Sequence, residues 1–134
     1  MITYQIENDL SAAEFIAVLQ NSTLAERRPV HDAARISRML QHANLIVTAR
    51  AEGQLVGVSR ALSDFAFCTY LSDLAVDLKW QKQGIGKELI RQTKLASGPG
   101  KLILLAAPAA EQYYPKIGMQ HAPHCYFINT ADEL

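Results

Sequence analysis

The stretch Leu71-Ser72-Asp73-Leu74-Ala75-Val76-Asp77-Leu78-Lys79-Trp80-Gln81-Lys82-Gln83-Gly84-Ile85-Gly86-Lys87-Glu88-Leu89-Ile90 changes character twice. It opens as an apolar run of strand length, from Leu71 to Val76. It turns polar from Asp77 to Gln83, Trp80 apart. Gly84-Ile85-Gly86 then starts a pattern that puts Ile85, Leu89 and Ile90 on one helical face. The first amides of a helix have no intrahelical partner, and the helix dipole adds partial positive charge there. Glycine at 84 and 86 removes side chains that would hold an anion off the backbone. A pyrophosphate can therefore sit over the amides of residues 83–87, with Lys82 and Lys87 flanking the turn. Glycine pairs also punctuate ordinary loops, so the pattern alone is modest. It is neither of two better-known phosphate loops. Position 89 is Leu, which breaks a GxGxxG, and Glu88 follows Lys87, which breaks a GK[ST].

Working outward, Ser97-Gly98-Pro99-Gly100 stops the helix, and Leu102 to Ala106 is again a short apolar run. Residues 69–76, 84–96 and 101–106 thus read strand, helix, strand. The helix is long enough for a right-handed parallel crossover. Upstream, residues 2–6 read as a strand. Ser11 and Glu14 have capping-box spacing ahead of a helix to about residue 20, with Glu14 expected to reach back to the cap. Ala33, Ile36, Met39 and Leu40 mark a second helix. Residues 45–49 and 55–61 read as a hairpin turning at Glu52-Gly53. Downstream, residues 109–116 read as a short helix broken by Gly118, with two short strands around Ala122-Pro123. The pattern predicts one α/β domain over 1–134, a mixed and mostly antiparallel sheet with helices on both faces.

Length and an apolar fraction of 49% with no net charge describe an ordinary globular domain. No basic cluster points to nucleic acid, and no apolar run points to a membrane. Neither Cys68 nor Cys125 sits in a metal-ligand spacing, so no metal site is expected and both thiols are read as reduced. The start carries no signal-peptide pattern, which gives a cytoplasmic expectation.

Two segments together carry a resemblance. Gln81-x-x-Gly84-x-Gly86 matches the [RQ]-x-x-G-x-[GA] signature of the GNAT superfamily of N-acetyltransferases. Ala110-Glu111-Gln112-Tyr113-Tyr114-Pro115-Lys116-Ile117-Gly118-Met119 is similar to that family's A-x-x-[FY]-Y-x-K-x-G-[FM] segment. The resemblance implies a GNAT fold in which a bulge splays one central parallel strand pair for coenzyme A. It implies acetyl-CoA as acyl donor and direct transfer to a primary amine of a small molecule or peptide. A non-catalytic acyl-CoA sensor is the alternative.

By the same resemblance, backbone groups of Leu74, Ala75 and Val76 hold the pantetheine arm. Gln81, Gln83, Gly84, Ile85, Gly86 and Lys87 form the pyrophosphate site. Tyr114 is the general acid toward the departing thiolate and also touches the cofactor, while Tyr113 is read as packing. Asp73 is the best candidate base or substrate contact, against a role pairing an arginine such as Arg60. Asp64 is a weaker candidate. Tyr70 stands where histone-type members have glutamate. His31, His42, His121 and His124 are read as surface residues. Arg27, Arg28, Arg35 and Arg38 can attract an anionic acceptor or simply form a solvated face. Two departures stand out. Ala107 replaces an asparagine that contacts CoA in many members, and Gln81 replaces the commoner arginine. Many members dimerise, so a homodimer is expected by analogy.

Overall fold

The computed structural model describes all residues, 1–134. Five strands form one sheet in sequence order: β1 (Ile2–Ile6), β2 (Leu45–Ala51), β3 (Gln54–Ser63), β4 (Cys68–Val76) and β5 (Lys101–Ile103). The first three pairings are antiparallel and β4–β5 is parallel. The helices are α1 (Ala12–Ser22), α2 (Ala33–His42), α3 (Ile85–Ser97) and the single turn α4 (Tyr113–Lys116). No helix is long and apolar enough to cross a membrane.

Alternation along the strands builds two cores, one on each face of the sheet. Phe15, Leu19, Ile36 and Leu40 of α1 and α2 pack on Ile46, Val58 and Ala75. Ile85 and Leu89 of α3 pack on Val47, Val56 and Ala61. The sites at which sequence pattern and structure meet are mostly local. Ser11 caps α1 by accepting from the Glu14 amide at 3.2 Å. The Glu14 carboxylate, expected to return to that cap, goes instead to Arg50, at 2.7 and 3.1 Å. Glu52 and Gly53 both have positive φ, 49° and 86°, which matches the twist of a tight hairpin.

Two expectations are corrected. The strand foreseen over 101–106 pairs only through Ile103, because β4 leaves the parallel ladder after Tyr70. The two strands foreseen around Ala122-Pro123 are absent. Residues 121–130 take no strand conformation, and Tyr126, Phe127 and Ile128 are exposed. Strand-like composition makes a strand only when the segment is paired, and residues 121–130 pair with no strand. The parallel pair therefore lies at one side of the sheet rather than at its centre.

Candidate active site

β4 is irregular at one residue. On its β3 side, Asp73 faces Arg60 and Leu71 faces Ala61, which leaves Ser72 as a bulge. On its other side the last parallel partner is Tyr70, opposite Ile103. Beyond that point β4 and the chain of residues 104–106 part. A groove of about 840 Å³ opens between them, walled also by the turn after α1 and by Tyr114.

Which backbone groups face this groove follows from the antiparallel ladder. The Asp77 amide donates to the Val56 carbonyl at 2.8 Å. Bonding alternates along an antiparallel pair, so Ala75 also bonds toward β3, while Leu74 and Val76 turn their N–H and C=O outward. Of the three residues expected to hold a pantetheine arm, Leu74 and Val76 thus turn peptide groups away from β3, whereas the peptide groups of Ala75 are used in the sheet. The Val76 carbonyl accepts from the Gln81 side-chain amide at 2.9 Å. Gln81 thereby ties the loop to the end of β4, a link that needs no charge.

The loop itself meets the demands of an anion. Lys82 and Gly84 have positive φ, 64° and 84°. The region costs an ordinary side chain energy and suits glycine at the start of α3. The first helical bond runs from the Glu88 amide to the Gly84 carbonyl. No backbone acceptor is paired with the amides of Gln83, Gly84, Ile85, Gly86 or Lys87. A Cβ built on Gly84 would meet nothing within 4 Å, so the space above the turn is open. Four free donors beside open space, with the Lys87 amide turned to the Tyr113 hydroxyl, at the positive end of a thirteen-residue helix, fit a pyrophosphate.

Tyr113 does more than pack. A Cβ at Gly86 would lie 2.8 Å from its hydroxyl. The Lys87 amide faces the same phenol, which burial keeps protonated by raising its pKa. Tyr113 and Tyr114 meet edge to face with ring centroids 5.2 Å apart. Tyr114 is half-buried and lines the groove. Burial pushes its pKa up, the neighbouring Tyr113 adds to this, and the positive charge of Arg28 pulls the other way. At neutral pH both phenols remain proton donors.

The two carboxylates named from the sequence have other work. Asp73 is fully buried, and its two oxygens are taken by Arg28 Nε and Arg60 Nε. A carboxylate with both oxygens bound to guanidinium groups and no solvent exposure is not presented to a substrate as a base, so that reading is corrected. The Arg60 pairing is real and Arg28 joins it. Asp64 accepts the amides of Ala66, Phe67 and Cys68 at 2.9, 2.8 and 3.0 Å. These bonds lower its pKa to about 2 and make it the cap of a turn. The four histidines, Arg27, Arg35 and Arg38 are exposed, and Cys68 and Cys125 are free and exposed.

Of the four arginines that sequence pattern leaves undecided, Arg28 is the one that is not exposed. It lies outside any helix, on the segment between α1 and α2, and reaches into the groove. Its Nη2 donates to the bulged Ser72 carbonyl at 2.9 Å. Arg60 Nη2 donates to Ser72 Oγ at 2.9 Å, and Arg60 Nη1 to the Met39 carbonyl at 3.0 Å. The irregular residue is pinned from both sides.

A model of the acetyltransferase (GNAT) domain matches residues 9–124, nearly the whole length over which these features lie. The chain belongs to the GNAT acetyltransferase family. Among curated proteins it is 36% identical over 73 residues to a soybean (Glycine max) protein named histone acetyltransferase TAP1, covering 52% of this chain and 32% of that one. It thus spans about a third of the length of that relative. Among solved structures, the GNAT family acetyltransferase SP0256 of Streptococcus pneumoniae superposes with a TM-score of 0.68 at 20% identity, covering 96% of this chain and 98% of that one. The aminoglycoside N-acetyltransferase AAC(6')-Iy, solved with CoA, superposes with a TM-score of 0.75 at 14% identity, covering 98% and 95%. At these identities the two structures establish the shared fold.

Proposed function

We propose that this GNAT domain transfers the acetyl group of acetyl-CoA directly to an amine. One observation carries the reading. The amides of residues 83–86, which have no backbone acceptor, and the Lys87 amide beside the Tyr113 hydroxyl adjoin a groove whose floor offers the outward peptide groups of Leu74 and the N–H of Val76 and whose wall includes Tyr114. Acetyl-CoA supplies an activated acyl carbon. The amides at the head of α3 hold its pyrophosphate, helped by the Tyr113 hydroxyl. The outward N–H and C=O of Leu74 and the N–H of Val76 hold its arm as an added strand would be held.

The amine nitrogen bonds to the thioester carbonyl carbon and the carbon–sulfur bond breaks. Tyr114 gives its proton to the departing sulfur, and the amine's extra proton leaves to water in the open groove, from which the tyrosinate is reprotonated. Asp73 does not take that proton, since both its oxygens are occupied, and Glu26 is the one carboxylate that lines the groove. A dimer belongs to the same proposal, on the family resemblance alone.

A thiol-release assay with acetyl-CoA against a broad amine panel tests the reading. Tyr114→Phe should lower kcat by about 100-fold, the lower range for a positioned acid, and leave CoA affinity unchanged. Wild-type turnover in that variant would remove Tyr114 from the role of acid. Failure of the wild-type protein to bind CoA would remove the whole proposal.

A further inference from the structure

Charge at the bulge does not balance. One carboxylate, Asp73, meets two guanidinium groups, so the cluster carries a surplus positive charge. Arg60 cannot present it. Its side chain is 8% exposed, and its three nitrogens already donate to Asp73, Met39 and Ser72. The surplus surfaces at Arg28, whose side chain is 23% exposed and lines the groove.

The hydrogen bonds of Arg28 fix how it faces that space. Nε donates to Asp73, Nη1 to the Arg27 carbonyl at 2.8 Å and Nη2 to the Ser72 carbonyl at 2.9 Å. A guanidinium has five N–H groups, so one on Nη1 and one on Nη2 remain without a protein acceptor. Parallel donors on one planar fork match the two oxygens of a carboxylate. Three protein bonds hold the fork in place, so little freedom is lost when a ligand binds. Tyr114 is near enough for its phenol to feel the Arg28 charge.

Coenzyme A also carries negative charge, but its pyrophosphate is held elsewhere. Arg28 bonds at Ser72, whereas the loop is tied at Val76. Four steps along the strand separate these points, roughly 13 Å at about 3.3 Å per residue. Among the groove-lining residues the only acidic one is Glu26. A polycation such as an aminoglycoside would meet a fixed positive charge with little to offset it.

We infer that the acceptor is a small amine that carries a carboxylate, an amino acid or a close relative, and that Arg28 is its carboxylate dock. The inference rests on the acetyltransferase reading for the word acceptor, but its test does not need turnover. Calorimetry on the CoA-saturated protein, with the twenty amino acids each paired with its carboxamide, reads the dock directly. At least one amino acid should bind, with its amide at least about 10-fold weaker, as expected when a charged hydrogen bond is lost. Arg28→Gln should abolish that difference. Arg28→Lys keeps the charge but not the fork, and should retain only part of it; this variant also serves if the glutamine variant does not fold. The dock is overturned if no amino acid binds in the millimolar range, if amides bind as well as acids, or if both variants keep the full preference. Preferential binding without acetyl transfer would instead sink the proposed reaction and leave the dock standing. Equal transfer to amines with and without a carboxylate would do the reverse.

Discussion

Two ion clusters in this chain are inversions of each other. At the β1 side of the sheet one cation, Arg50, sits between two anions, Glu7 and Glu14, with contacts of 2.7–3.1 Å. At the bulge one anion, Asp73, sits between two cations. The first fastens β1, β2 and α1, and its surplus negative charge reaches water through Glu14, whose side chain is 43% exposed. The second pins a strand irregularity, and its surplus positive charge reaches the groove. A surplus facing bulk water is screened and idle. A surplus facing a cavity has a ligand to wait for. The contrast separates a clamp from a site by where the unmatched charge ends up.

The comparison can be broken by removing the central residue of each cluster. Asp73→Asn should have the largest effect, because it leaves two guanidinium groups facing each other beside a buried amide. A loss of about 3–5 kcal/mol in urea unfolding is expected, with weaker CoA binding as the bulge loosens. A loss within error of zero would deny the cluster its role as a clamp. Arg50→Met should cost less, about 2 kcal/mol, because Glu14 can turn to solvent while Glu7 is left poorly hydrated. Its kcat and acceptor KM should match wild type; a selective rise in acceptor KM would show that the two clusters are not separate in function.

The smallest effect sharpens the contrast through pH. Bonds from Arg50, opposed by burial and aided by Thr48 and Gln5, lower the Glu7 pKa to about 2. A depressed carboxylate pKa gives stability that is full above its ordinary value and is lost as pH falls toward the folded value. Thermal midpoints should therefore drop between about pH 4.5 and pH 2. Glu7→Gln, already lacking that contribution, should start lower and fall less across the same window. Equal slopes would place the acid sensitivity elsewhere.

Sequence disclosed those parts of the molecule that depend on periodicity and backbone. The loop at Gln81 to Gly86 was legible because glycine spacing, a strand before it and a helical face after it are all local signals. The amphipathic faces of α1, α2 and α3 were legible for the same reason. Asp73 announced itself as a carboxylate within an apolar strand, and Arg60 could be named as a partner because the hairpin brings β3 beside β4. Arg28 could not be chosen from its polar neighbourhood. It sits forty-four residues from Ser72, and only the packed turn after α1 brings the two together. The C-terminal strands were misread because Tyr126, Phe127 and Ile128 have strand composition, whereas pairing is a property of neighbours in space. Tyr113 reads as packing because it leaves the helix about 100° around from Tyr114. That angle says where a side chain leaves the axis, not that α4 lies against the head of α3.

α4 is one turn long, and its two tyrosines point to different tasks, one at the phosphate turn and one at the groove. So short a helix has no cooperative length with which to set its own orientation. Its attitude is set by what those two phenols touch. On the proposed function, grip on the cofactor and delivery of the proton are therefore yoked to one small lever. Substitutions that tilt the lever will move both together, so a lineage can retune either property alone only by changing one of the tyrosines themselves.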